Sequence, residues 1–219
     1  LEAVGSRAEP PPEILQRSLV MPYVDGLRFV QMLHRRGGWR AVNGAYARLP
    51  ASTEQLLHLD KYDENAPPLV LPELSVLEGY EALDRDTMGE QALRILVDQW
   101  APGLAPAAAA GWGGARYARM QATTPQGPRY AFALHLRMDT EADAVELEDA
   151  VHEPGTGALP PLRPKPITCI DRSDLGPLLL VRRGADVVLV AGPYLAVSPP
   201  QAAATCGEAQ AYAQKLLAP

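Results

Sequence analysis

The apolar pattern of this chain changes period once, at Gly111-Trp112-Gly113-Gly114. Upstream, apolar side chains recur at helical spacing. Downstream, short apolar runs alternate with turn-forming residues, as strands require. That change points to an α+β fold, a mainly helical first half followed by a small antiparallel sheet with packed helices. Three regions follow: residues 1–12 as an extended arm or linker stub, 13–111 as a helical region, and 112–219 as an α+β region with two hairpins and a carboxy-terminal helix.

In the first region Pro10-Pro11-Pro12 favours extended backbone. From Tyr23 to Arg36, Val24, Leu27, Val30 and Leu33 mark a helix that Gly37-Gly38 stops, and Trp39, Val42, Tyr46 and Leu49 mark a second helix that should pack on it as a hairpin. Ser52 and Thr53 can cap a short helix reaching His58. The proline-bearing stretch from Lys61 to Glu81 reads as a surface connection with a strand at Leu69-Val70-Leu71. Thr87 and Glu90 have the spacing of a capping box for a helix burying Leu93, Val97 and Trp100.

Beyond the switch, strands at Tyr117–Ala122 and Tyr130–Met138 flank Thr124-Pro125-Gln126-Gly127-Pro128, a hairpin turn. Thr140 can cap a helix to His152, and a proline-rich loop follows. Strands at Ile167–Ile170, Leu178–Arg182 and Val187–Ala191 come next, the last two joined at Arg183-Gly184-Ala185-Asp186, and a helix from Gln201 to Leu217 closes the chain.

Charge and composition narrow the partners. The net charge is −6 and the cations are scattered, which argues against nucleic acid. No apolar run approaches the roughly 20 residues that span a bilayer, so no transmembrane segment is expected. The sequence opens on Leu1, which we read as a cleaved or truncated amino terminus. Cys169 and Cys206 are too few for a structural zinc site; they form a disulfide if the chain is exported, and otherwise are two buried thiols.

No catalytic motif stands in the chain. His-Glu-x-x-His is absent, and His152-Glu153 runs into Pro154 before a second ligand could follow one turn later. Gly111-Trp112-Gly113-Gly114 lacks the ending of a phosphate loop, and its glycines fit a close passage of backbone better. Glu54 and His58 stand four apart on one helix face, where a carboxylate can orient an imidazole or raise its pKa. Arg116 and Tyr117 are side-chain types that stabilise oxyanions, although neighbours on a strand point to opposite faces.

Several short motifs occur in a fixed order: Pro22-Tyr23 through Gly26 and Phe29-Val30, Gly37-Gly38-Trp39 through Val42-Asn43, and Ser52-Thr53-Glu54-Gln55 through His58. Lys61-Tyr62, Asp86-Thr87 through Gly89-Glu90, and Gly111-Trp112-Gly113-Gly114 through Arg116-Tyr117 complete the set. This order resembles the carboxy-terminal half of bacterial exported or lipid-anchored proteins related to gluzincin-type zinc metallopeptidases. The resemblance implies that the His-Glu-x-x-His helix lies upstream of this chain. It implies no cofactor in the chain itself, zinc in the complete protein, and His58, Tyr62, Arg116 and Tyr117 lining the substrate side of a shared cleft. The implied location is the periplasm or cell surface, with lipid anchoring through a segment before Leu1. A protein or peptide partner is expected, either the chain's own amino-terminal fragment or another envelope protein. Ala115 and Leu59 depart from the acidic residue and the proline that the family pattern would place there. Those departures favour the alternative, a non-catalytic cell-envelope binding or assembly subunit on a degenerate peptidase scaffold.

Overall fold

In the computed structural model, which describes residues 11–152 and 168–218, the two amino-terminal helices are one kinked element, α1 (Glu13–Ala47). Gly37 and Gly38 carry the break, and Gly38, at φ 60°, occupies a region that a Cβ would strain. The helix begins at Glu13 and passes through Pro22, ahead of the expected start at Tyr23. Pro22 has no N–H for the Ser18 carbonyl, but both residues are exposed and water can replace that bond. The His34 ring meets the Trp39 ring edge-on across the break, with centroids 5.0 Å apart. Phe29, Leu33 and Val42 are buried. Of the arm expected over 1–12, only Pro11 and Pro12 are described. The chain divides into units 1–49 and 50–219, and the first consists of this element with its flanks.

The second unit is α+β. It runs α2 (Thr53–Leu57), α3 (Leu59–Glu64), β1 (Glu81–Asp86), α4 (Glu90–Val97), α5 (Ala105–Ala109), β2 (Trp112–Thr124), β3 (Gly127–Met138) and α6 (Glu141–His152). Then come β4 (Thr168–Arg172), β5 (Gly176–Arg183), β6 (Asp186–Leu195), β7 (Gln201–Ala202) and α7 (Cys206–Leu216). The strands form one antiparallel sheet in the order β1-β2-β3-β6-β5-β4, with β7 paired to β6. Both expected hairpins are present: β2–β3 turns at Pro125-Gln126, and β5–β6 turns at Gly184, whose φ is 61°. The proline-rich loop expected after His152 lies outside the described residues.

Alternation along the strands divides the side chains between two faces. Leu134, Leu136, Leu178, Leu180, Val187 and Leu189 pack against α4, α5 and α6 through Leu93, Val97, Ala108, Leu147 and Val151. Their sequence neighbours Ala133, Leu179, Val188 and Val190 turn the other way and pack against Ala209, Tyr212 and Ala213 of α7 and against Leu74. Each of the larger side chains contributes about 1.5–3 kcal/mol by leaving water.

Three local expectations are corrected. Leu69-Val70-Leu71 is not a strand; it runs as extended backbone over the start of β2, where the Leu69 N–H donates to the Gly113 carbonyl at 2.8 Å. A Cβ at Gly114 would collide with the Leu69 carbonyl, so the glycine run does serve a close backbone passage. The region read as connection up to Glu81 is followed at once by β1, pairing from Glu81 with Gln121 to Asp86 with Tyr117. The capping box at Thr87 does not form: Gly89 is the N-cap of α4, and the Glu90 carboxylate is drawn to His58. A capping box does form at Thr205 and Glu208, where α7 starts.

Cys169 and Cys206 form a disulfide with Cα atoms 5.8 Å apart, tying edge strand β4 to the first residue of α7. No helix among the described residues is long and apolar enough to cross a membrane.

Candidate functional site

His58 and Tyr62 go to one corner of the 50–219 unit, while Arg116 and Tyr117 go to opposite faces of the sheet. His58 closes α2 and opens α3 with φ −120° and ψ 109°, an extended conformation that interrupts the helix. The carboxylate that hydrogen-bonds its ring is not Glu54, which raises the His58 pKa only through space and as the smallest of several causes. His58 Nε2 instead meets Glu90 Oε1 at the amino end of α4, 2.8 Å away. Glu54 pairs with Lys61, one turn into α3, at 3.0 Å, and Lys61 also bonds Asp139 at the end of β3. Tyr62 is buried beside them, and its backbone N–H caps the His58 carbonyl at 3.1 Å.

These five ionisable groups set one another's charge. The hydrogen bond that His58 donates to Glu90 raises the His58 pKa above its ordinary value, with burial working against it. Burial raises Glu54 and Glu90, and the pairing with Lys61 and His58 offsets only part of that. Burial opposes the charge on Lys61, yet its bonds to Asp139 and Glu54 hold it above the usual lysine value. One oxygen of Glu90 has no hydrogen-bond partner among the described residues, in keeping with its upward shift. The corner is thus an ionic network in which three carboxylates share two bases, His58 and Lys61. Among the described residues no group of three His, Cys, Asp or Glu is placed to hold a metal ion. His152 hydrogen-bonds through Nδ1 to the Glu148 carbonyl of its own helix.

Arg116 and Tyr117 part as strand geometry requires. Arg116 Nε donates to the Leu71 carbonyl at 3.3 Å, fastening the extended run to the sheet. On the other face, Tyr117 stacks on Phe132 and donates its hydroxyl to Asp84 of β1 at 3.1 Å. Burial first, and the Asp84 bond second, raise the Tyr117 pKa. Arg119 donates to the same Asp84 oxygen through Nε and Nη2. Asp84 therefore joins β1 to β2 with its charge already answered.

Phe132 also lines a cleft of about 470 Å³, together with Leu83, Arg119, Tyr130, Arg172 and Tyr194. The Tyr130 and Tyr194 rings come from partnered positions on β3 and β6, with centroids 5.9 Å apart. Leu83 and Leu175, exposed at 49% and 37%, leave apolar surface beside them. A second cavity, of about 420 Å³, lies on the α7 face among Tyr80, Arg129, Glu208 and Lys215, where acids and bases are mixed. None of the four residues singled out from sequence lines the aromatic cleft. Tyr117 supports it from behind, through Phe132. The lining residues are drawn from β1, β2, β3, β4 and β6 with the β4–β5 turn, and no local motif marks them.

A family model described as a domain of unknown function (DUF8575) matches residues 76–199. All the lining residues of the aromatic cleft fall inside that segment, whereas Glu54, His58 and Lys61 of the ionic network precede it. No curated protein and no solved structure matches the chain.

Proposed function

The chain belongs to this family of domains of unknown function, and from that premise we propose that it is a non-catalytic binding module of an exported protein, holding a protein or peptide segment in the Tyr130–Tyr194 cleft. One observation carries the reading: the cleft presents aromatic rings and apolar surface to solvent, while the ionic corner is closed on itself. Its volume lies in the range of ligand sites, roughly 300–1,000 Å³. Tyrosine and arginine are the side chains that most often anchor a bound partner. The Cys169–Cys206 disulfide supports an oxidising location, which we assign to the periplasm or cell surface.

Peptide display tests this. Random peptides are selected against the full chain and rescreened against a Tyr130→Ala, Tyr194→Ala double variant of unchanged circular dichroism. Binders captured by the parent and lost by the variant are expected; binders indifferent to the change would sink the reading.

A second reading keeps the metallopeptidase resemblance, and the His58–Glu90 pair favours it. A buried carboxylate holds an imidazole that keeps a third of its surface open. Here the chain is the carboxy-terminal portion of a metallopeptidase-like protein and contributes only cleft-lining side chains, because its described residues do not fit a zinc ion. Metal analysis of the full-length protein, with cleavage of an unfolded substrate, decides it. Zinc-dependent cleavage that falls on His58→Ala supports this reading, and absence of both zinc and cleavage removes it.

A further inference from the structure

Arg172 differs from the ion-paired arginines of the sheet. Arg119 is neutralised by Asp84, Arg137 by Asp186 and Arg182 by Glu148. Arg172 has no acidic partner within ion-pair distance among the described residues. Its Nε donates to the Gly176 carbonyl at 3.1 Å and its Nη2 to the Leu175 carbonyl at 3.4 Å. Two backbone carbonyls of the β4–β5 turn therefore fix the guanidinium. They accept two of its five N–H donors, and the others have no partner among the described residues. Asp174 acts on it only through space, and burial lowers its pKa, so the cation is held where water serves it poorly.

The groups around it suit an anion of a particular kind. Tyr130 and Tyr194 line the same cleft, and neither hydroxyl has a hydrogen-bond partner among the described residues. Both are available as donors. Apart from Arg119, which Asp84 holds, the remaining lining, with Leu83, Phe132, Leu175 and Ala191, is apolar. A strongly hydrated anion such as phosphate would gain nothing from that surface, whereas a carboxylate on an apolar body uses both parts. Arginine also matches a carboxylate with two parallel hydrogen bonds.

We propose that the cleft binds the carboxylate of a ligand whose remainder is apolar, with Arg172 as the anion receptor and the Tyr130 and Tyr194 hydroxyls as further donors. This rests on the reading of the cleft as a binding site and specifies its ligand class. Two sources offer that chemistry: the carboxy terminus of a peptide ending in an apolar residue, and a free aliphatic or aryl acid.

The test titrates the full chain calorimetrically with octanoate, octanamide, a tetrapeptide ending in leucine, and the same tetrapeptide amidated. At least one acid should bind about tenfold or more tightly than its amide, as a charge-assisted hydrogen bond predicts. Arg172→Gln should weaken that acid about ten- to a hundredfold and leave the amide where it was, and Arg172→Lys should recover part of the loss. Binding of octanoate alone identifies a small acid, and of the peptide acid alone a carboxy terminus; either supports the proposal. Equal affinity for acid and amide, no binding of either acid, or an acid affinity unchanged in Arg172→Gln overturns it. If Arg172→Gln fails to fold, the acid–amide comparison on the parent chain decides alone, with Tyr194→Phe, which keeps the ring, expected to weaken the acid only. Displayed peptides that need the tyrosines but are indifferent to carboxylate and to Arg172 would leave the binding-module reading standing and remove this one.

Discussion

Where α2, α3 and α4 meet, the charged side chains pair with one another, whereas in the cleft Arg172 bonds only backbone carbonyls and the hydroxyls of Tyr130 and Tyr194 have no hydrogen-bond partner among the described residues. At the corner Lys61 serves Glu54 and Asp139 at once and His58 serves Glu90, so each base there is already paired with an acid. In the cleft Arg119 is likewise spent on Asp84, but Arg172 holds only carbonyls. The difference teaches where to look for function. A perturbed pKa marks an environment rather than a role, and the most perturbed groups here are those that the fold has already used.

The largest expected effect belongs to the disulfide, which bears on the cleft because Cys169 shares β4 with Arg172. It joins residues 37 apart in sequence, and closing such a loop stabilises the folded chain by about 4 kcal/mol in the chain-entropy model. Urea unfolding with and without reductant should show a loss of that order, together with weaker binding in the cleft. A loss under about 1 kcal/mol, against that expectation, would mean that packing of α7 holds β4 without the crosslink.

Lys61→Met should come next, at about 3 kcal/mol. Removing one member of a buried ionic group leaves its partners uncompensated, though the partial exposure of Lys61 and Asp139 trims the cost. The cleft should be unaffected by this change. If ligand affinity fell with stability, the two regions would be coupled, and the contrast between a structural corner and a functional cleft would fail.

A smaller effect is expected from pH. His58 has a raised pKa, so the folded chain holds that proton more tightly than the unfolded one. The stabilisation is complete below the ordinary histidine value of about 6.5 and is lost as pH rises through the higher folded value. The urea midpoint should therefore be higher near pH 6 than near pH 8, and His58→Gln should flatten the difference. The raised Glu90 and Glu54 add a cost of the same sign at lower pH, setting in as pH rises above the ordinary glutamate value.

These contrasts also show what sequence could and could not reveal. Most helices, both hairpins and the α+β class follow from local period and turn chemistry, which act over a few residues. By contrast, α3 reads as the start of a connection, and Gln201-Ala202, which reads as the start of the last helix, pairs as β7 ahead of α7 at Cys206. β1 escaped because Glu81-Ala82-Leu83-Asp84-Arg85-Asp86 has four charged side chains in six; it is an edge strand defined by its pairing with β2 rather than by an apolar pattern. Glu54 and His58 do not bond directly because the four-residue spacing assumes an unbroken helix, and the break falls on His58 itself; Glu54 acts on His58 only through space. Its real partner, Glu90, looked like a capping residue from its neighbours alone. Lys61 meets Asp139 from 78 residues away, a distance over which local sequence carries no information. The cleft was invisible for the same reason, since Tyr130 and Tyr194 become neighbours only through the β3–β6 register.

The smallest expected effect is the most pointed test of the contrast. Arg172→Gln removes a charge that has no acidic partner and is itself disfavoured by burial, so little net stabilisation is lost. Its bonds to Gly176 and Leu175 are worth about 1.5 kcal/mol each, the low end for a charged donor because one is long, the glutamine amide can replace one of them, and relief of the buried charge offsets most of the other. The unfolding midpoint should then shift by no more than about 0.5 kcal/mol equivalent, the range of ordinary surface substitutions. A residue that costs nothing to remove and yet governs affinity for an acid serves the ligand rather than the fold. A loss near that of Lys61→Met would instead place Arg172 with the structural charges, as a clamp on the β4–β5 turn.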